Sequence, residues 1–266
     1  MENTGKYALI TGASSGIGWH FTEALAQRDY SVVAVSNQPA QLDDLKKRLE
    51  KLYRIIVVTL NMDLTQENSA QKVFDYCKEK NLIVEVLINN AGIFFFGEAV
   101  TVDYSLGKSI LGLHIITPAM LCRLFGEQMM KRQRGFILNV SSIAAVMPYP
   151  CISLYGPTKA FLRNFTRALR TEMKYHGINV TCLIPGPVDT ELYDAGNFNK
   201  PLLRKLGIMK NPETVAHAGI RALFKNHAVC IPGLLNQFII LLLPVLPYFI
   251  INIIYRRNFF DREPKE

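Results

Sequence analysis

The sequence has little that would cross-link or tether a chain. Its five cysteines, Cys77, Cys122, Cys151, Cys182 and Cys230, are scattered, odd in number and never spaced C-x-x-C. That argues against a disulfide framework and a zinc site, and leaves small buried thiols as the reading; no metal is expected. The N-terminal MENTGKYALIT runs straight into a strand with no signal-peptide h-region, which favours a reducing, cytoplasmic setting. Internal repeats, low-complexity tracts and linkers are absent, so a single domain is expected. Acidic residues are outnumbered, 22 against 30 Lys and Arg, for a net charge of +8. The basic clusters Lys46-Lys47-Arg48, Lys131-Arg132-Gln133-Arg134 and Arg256-Arg257 carry no interleaved exposed aromatics, which argues against a nucleic-acid partner. A phosphate-bearing cofactor and an anionic membrane surface can both account for the surplus. From Ile231 to Tyr255 there is no charged residue at all.

What is present is a regular alternation. Tyr7–Thr11, Ser31–Val35, Ile55–Leu60, Val84–Ile88, Phe136–Val140 and Asn179–Ile184 read as short strands. Helical patterns run from Gly16 to about Asp29 and over Ala40–Leu52, 66–80, 104–132 and 153–175. Strands alternating with helices of this length imply βαβ units. The expectation is an α/β fold: one doubly wound parallel sheet with helices on both faces, its ligand beyond the carboxyl ends of the strands.

The first strand leads into Thr11-Gly12-Ala13-Ser14-Ser15-Gly16-Ile17-Gly18. Glycine permits the tight turn, and the following helix N-terminus offers free N–H groups and a positive dipole end to a pyrophosphate. The second strand ends in Ser36-Asn37-Gln38, where an NAD site usually carries an acidic residue for the ribose 2′-hydroxyl. Without a carboxylate a 2′-phosphate meets no repulsion, yet an arginine that would select it is also missing; NADP(H) is preferred and NAD(H) admitted. Ser142 follows the strand Phe136–Val140, and Tyr155 and Lys159 come thirteen and seventeen residues later. At i and i+4 on a helix they share a face. A tyrosine is a poor base at neutral pH; a neighbouring ammonium is expected to lower its pKa, and a serine hydroxyl to hold the substrate oxygen.

Together these residues resemble the short-chain dehydrogenase/reductase family over nearly the whole chain, which implies a Rossmann-type fold. Thr11, Gly12, Ser14, Ser15, Gly16, Ile17 and Gly18 are similar to its cofactor loop, and Ser36 and Asn37 mark the ribose end. Asp63 and Leu64 look like its adenine-contacting position. Asn90, Ala91 and Gly92 look like its N-N-A-G signature. Ser142, Tyr155 and Lys159 stand where the family has its catalytic serine, tyrosine and lysine, with Tyr155 and Lys159 also touching cofactor. Pro185, Gly186, Val188 and Thr190 look like its P-G motif. The resemblance implies proton donation by Tyr155 as a nicotinamide delivers hydride, with Lys159 holding the ribose. One departure stands out: Ser109, before Ile110-Leu111-Gly112, occupies what reads as the position of the family's relay asparagine.

The resemblance places the substrate wall after the P-G motif. Glu191–Met209, with Leu192, Tyr193, Phe198, Leu202, Leu203 and Leu206, reads as a lid at about 190–210 inside a domain spanning 1–232. Residues 233–266 form an apolar helical tail. FIILLLPVLPYFII, Phe238–Ile251, is short for a bilayer span of roughly 20 residues. A buried helix or dimer contact and a segment lying in the membrane interface stand almost level. The tail is similar to that of family members acting on long-chain acyl, sphingoid-base or steroid carbonyls. The expected activity is reduction of a lipophilic ketone, with a hydroxysteroid or secondary-alcohol dehydrogenase and a non-catalytic cofactor-binding regulator as alternatives. The resemblance also implies a homo-oligomer paired through the helices at 104–132 and 153–175.

Overall fold

The computed structural model describes residues 5–147, 150–190 and 209–256. Seven parallel strands are ordered β3-β2-β1-β4-β5-β6-β7: β1 (Tyr7–Thr11), β2 (Ser31–Ser36), β3 (Val57–Asn61), β4 (Val84–Asn89), β5 (Gly135–Val140), β6 (Ile178–Leu183) and β7 (Val229–Cys230). The helices are α1 (Gly16–Ala26), α2 (Pro39–Leu52), α3 (Ser69–Glu79), α4 (Tyr104–Leu111), α5 (Thr117–Arg132), α6 (Tyr155–Met173), α7 (Pro212–Phe224), α8 (Leu234–Leu242) and α9 (Tyr248–Arg256).

Strand alternation sends side chains to two separate cores. Ala8 and Ile10 of β1 join Phe21, Leu25, Leu45, Val215 and Ile220 on the α1, α2 and α7 side. Tyr7 and Leu9 join Val73, Leu121, Phe125 and Met129 on the α3 and α5 side. Because both faces are covered, the strands are apolar almost throughout, as buried parallel strands are. The predicted sheet and its two helical layers are present. Helix α7 and the short strand β7 were not foreseen: a two-residue strand is too brief to leave a periodic signal.

The predicted helix over 104–132 is present and runs unbroken, with a π-turn inside it. Between α4 and α5 a π-turn, Gly112–Ile116, closes with the Thr117 N–H on the Gly112 carbonyl. Pro118 follows at the start of α5. It has no N–H for the His114 carbonyl, so the ordinary i→i−4 ladder cannot continue there. The α4–α5 stretch is apolar and long enough to cross a membrane, but 61% of its apolar window is buried in the fold.

The chain order reverses between β1 and β4, so the loops after these two strands diverge and leave a crevice above their carboxyl ends.

Candidate active site

A cleft of about 680 Å³ opens at that crevice. One wall is the turn into α1. Gly12 and Gly16 have φ of +63° and +53°, a region a side chain enters only with strain. A Cβ on Gly18 would lie 1.8 Å from the Gly12 carbonyl oxygen, so this glycine lets the helix pack on its own turn. Ser15, the N-cap of α1, makes no side-chain capping bond. The first N–H groups of the helix are therefore left for an anion in the cleft. This uncapped, glycine-lined cradle fits the pyrophosphate of a dinucleotide.

Thr11 binds the two switch-point strands together. Its hydroxyl accepts from the N–H of Asn90 (2.9 Å) and of Ala91 (3.0 Å), while Asn90 Nδ2 donates to the Thr11 carbonyl at 3.0 Å. At the far end Ser14 Oγ lies 2.8 Å from Ser36 Oγ and donates to Gln41 Oε1 at 3.0 Å. Asn37 is exposed beside them.

The other wall carries the residues predicted to react. Ser142 caps the short turn after β5, accepting from the Ala144 N–H at 3.1 Å. Tyr155 and Lys159 open α6 and are both buried, at 5% and 4% exposure. Ser141 Oγ donates to the Lys159 carbonyl at 2.8 Å and Lys159 Nζ donates to the Val140 carbonyl at 3.1 Å, which clamps α6 to the end of β5. Beneath them Asn89 Nδ2 donates to Asn139 Oδ1 (2.8 Å), and Asn139 Nδ2 to Thr166 Oγ1 (2.9 Å). This buried polar run fixes β4, β5 and α6 in one register.

The electrostatics correct one expectation. Lys159 Nζ sits 5.7 Å from the Tyr155 ring centroid and is turned to a carbonyl. Burial dominates both groups, because it disfavours either charged form. It pushes the Tyr155 phenol up to about 12, against a lowering hydrogen bond with Ser142, and brings Lys159 down to about 8. The phenol is thus held protonated at neutral pH, the form that can give a proton away.

Of the predicted residues, Gly12, Ser14, Ser15, Gly16, Ile17, Asn90, Ala91, Gly92, Ser142, Tyr155, Lys159, Pro185, Gly186, Val188 and Thr190 line this one cleft. Thr11, Gly18 and Ser36 support it from behind. Asp63 stands just beyond β3, where its carboxylate accepts from Thr65 and Gln66, bonds that hold it below the usual carboxylate range. Leu64 is in the core. Most of the predicted lid, 191–208, lies outside the described residues.

The reading of Ser109 is overturned. Ser109 is half-buried on α4 and does not line the cleft. The side chain this helix sends towards Tyr155 is His114, five residues on, because the π-turn re-aims it; the ring centroids are 5.6 Å apart. Sequence reasoning also missed the apolar wall at Tyr155, where Phe94, Phe96, Met147 and Ile152 gather. The run Phe94-Phe95-Phe96 directly after N-N-A-G-I was the available signal. Trp19, His20, Asp189 and Pro212 line the cleft too, from positions with no distinguishing pattern.

Comparison with known proteins agrees with this geometry. Residues 6–199 match the short chain dehydrogenase family. Very-long-chain 3-oxoacyl-CoA reductase-A of Danio rerio is 33% identical over 209 residues, 76% of this chain and 63% of that protein. The 17-beta-hydroxysteroid dehydrogenase type 3 of Mus musculus is 30% identical over 196 residues, 72% of this chain and 63% of that protein. The chain thus spans less than two thirds of the length of these relatives. A short-chain dehydrogenase from Sphingobium yanoikuyae, solved in complex with NADPH, superposes with a TM-score of 0.80 at 25% identity, covering 98% of both chains. From its cradle, its N-N-A-G loop and its Ser142, Tyr155 and Lys159 cluster, and from the family match over most of its length, the chain belongs to the short-chain dehydrogenase family of oxidoreductases.

Proposed function

We propose that the chain is an NADPH-dependent reductase of a lipophilic ketone, with long-chain 3-oxo lipids ahead of steroids. The observation that carries this reading is the position of Tyr155. A protonated phenol, beside Ser142 in the cleft, is packed against Phe94 at 5.0 Å between ring centroids and against Phe96, Met147 and Ile152. Such a wall suits the apolar chain of a substrate next to its reacting carbonyl. The names of the fish and mouse relatives, a 3-oxoacyl-CoA reductase and a hydroxysteroid dehydrogenase, support the same class.

A nicotinamide dinucleotide would be held by the Gly12–Gly18 turn, Asn90–Gly92 and Pro185–Thr190, and would supply the hydride. Tyr155 Oη gives its proton to the carbonyl oxygen as that oxygen gains charge. Ser142 Oγ donates a hydrogen bond to the same oxygen and orients it. Lys159, kept as an ammonium below about pH 8, stabilises the tyrosinate left behind. Preference for NADPH rests on Ser36 and Asn37, which place no carboxylate at the ribose end.

The apolar tail supports a location at a membrane interface as part of this proposal. Leu234, Phe238 and Leu241 of α8 are 74%, 66% and 71% exposed, and Val245, Tyr248 and Phe249 beyond them are similarly bare. The same helix buries Asn236 against Gly186 of the cleft. An exposed apolar helix packed on the cleft rim supports the reading of a lipid-facing segment beside the substrate entrance. Self-association through α5 and α6 is the companion proposal, supported by exposed Ile116, Met120 and Phe161.

The test is NADPH oxidation in mild detergent against 3-oxo lipids of increasing chain length, with NADH and Tyr155→Phe in parallel. Rates that rise with chain length, prefer NADPH and vanish in the variant are expected. Turnover of steroid alcohols alone would replace this reading by the hydroxysteroid dehydrogenase, the reading the mouse relative favours. Flotation with anionic vesicles, lost in Phe238→Ser/Leu241→Ser, tests the interfacial helix.

A further inference from the structure

His114 is 1% exposed, and its two ring nitrogens meet two different elements. Nε2 accepts from the Ile93 backbone N–H at 3.0 Å. A ring nitrogen that accepts carries no proton, so in the neutral imidazole the proton is on Nδ1. Nδ1 lies 3.0 Å from Thr158 Oγ1, and that hydroxyl donates to the Tyr155 carbonyl at 2.8 Å. From the Ile93 N–H through the imidazole and the Thr158 hydroxyl to the Tyr155 carbonyl, donors and acceptors match in one direction only. A second proton on the ring would set Nε2–H against the Ile93 N–H.

We infer that His114 is a positioning residue: a neutral, Nδ1-protonated imidazole that sets the distance between the Asn90–Ile93 loop and the first turn of α6. It thereby fixes where Tyr155 and Lys159 stand in the cleft. The inference rests on Tyr155 and Lys159 being the reacting pair.

The space around the ring supports this role. A Cβ on Gly92 would lie 3.2 Å from His114 Nε2 and 3.7 Å from Lys159 Nζ, so the loop threads closely between imidazole and ammonium and a side chain there would press on the ring. α6 presents Tyr155 and Lys159 to the ring, and the small void beside it adds Thr11, Leu64, Asn89 and Thr117. Lys159 and Tyr155 are thus the titratable groups that face it. Burial and the Lys159 charge both hold the imidazole pKa well below its ordinary value. A neutral ring adds no positive charge beside an ammonium already lowered by burial.

Two measurements decide the matter. Long-range ¹H–¹⁵N correlation on ¹⁵N-histidine protein, with His114 assigned by its loss in His114→Leu, should show the Nδ1–H form unchanged between pH 5 and 8. That readout needs no substrate. In turnover, His114→Leu and Thr158→Val, which breaks the run at its other end with little change of shape, should each lower kcat by about 10- to 100-fold. KM for NADPH should stay within about twofold, and His114→Asn, which keeps one donor and one acceptor, should recover part of kcat. An imidazole that titrates near pH 6.5, or carries its proton on Nε2, overturns the inference. So does wild-type kcat in both His114→Leu and Thr158→Val. Wild-type protein that turns over no ketone, with the Nδ1–H form in place, refutes the proposed function instead.

Discussion

The side-chain amide of Asn236 in α8 occupies the space that a Cβ on Gly186 would need, 2.6 Å from both its nitrogen and its oxygen. Asn236 is 1% exposed and donates to the Pro232 carbonyl at 2.9 Å. A glycine in the cleft wall and an asparagine in the apolar tail are therefore one packed joint. Gly186→Ala should cost about 1–3 kcal/mol by overpacking and free α8 from the rim. Asn236→Ala removes a buried hydrogen bond and should cost about 1 kcal/mol alone. In the double variant the alanine has room, so the two losses should fall short of their sum in chemical denaturation. Strict additivity would mean the joint does not exist.

Removing only the Tyr155 hydroxyl takes away the proposed proton donor and leaves the ring's packing on Phe94. Tyr155→Phe should lower kcat by at least about 100-fold while NADPH binding, followed by its fluorescence, changes little. Ser142→Ala should fall less far. It loses the proposed substrate hydrogen bond and one lowering influence on Tyr155, but the proposed proton donor remains.

Cofactor choice should turn on the exposed end of β2. Asn37→Asp places a carboxylate where a 2′-phosphate would lie and should raise KM for NADPH about tenfold or more, with NADH gaining in relative rate. Asn37→Arg should do the reverse. Unchanged KM ratios in both variants would locate cofactor selection elsewhere.

The buried pair gives opposed pH trends in activity and stability. Lys159 titrates at about 8 in the folded chain against 10.5 when unfolded. Between these values the unfolded chain holds a proton the folded chain has lost, so stability from this group rises with pH. Turnover should fall over the same range, because the ammonium proposed to stabilise the tyrosinate disappears. Tyr155, raised from 10 to about 12, has the opposite sign and lowers stability as pH climbs through 10 to 12. Denaturation between pH 7 and 10 should therefore show a rising contribution that Lys159→Met abolishes. A flat difference between wild type and variant would mean that Lys159 keeps its ordinary pKa.

Acid acts through His114. Its folded pKa lies well below 6.5, so under acid the unfolded chain takes up a proton that the folded chain refuses. Stability should fall as pH drops below about 6.5. The effect should be weaker in His114→Leu, measured against wild type at pH 7 and pH 5.

By itself the sequence determined everything that depends on short, regular spacing. Alternating apolar runs and helical patterns specify buried parallel strands covered on both faces. Thr11 to Gly18, Asn90 to Gly92, Ser142, Tyr155 and Lys159 are legible because turn chemistry and the i, i+4 period bind each motif locally. Tertiary structure decided what depends on distance in space. Pro118 denies the His114 carbonyl its usual partner, and the π-turn that results sends His114, not Ser109, towards Tyr155; no helical period encodes such a shift. Burial, which no linear pattern measures, set the Tyr155 and Lys159 pKa values against the simple expectation of an ammonium lowering a phenol. Packing of Asn236 on Gly186 joined the apolar tail to the cleft across fifty residues of chain, a contact that exists only because the sheet brings the end of β6 and the start of α8 together.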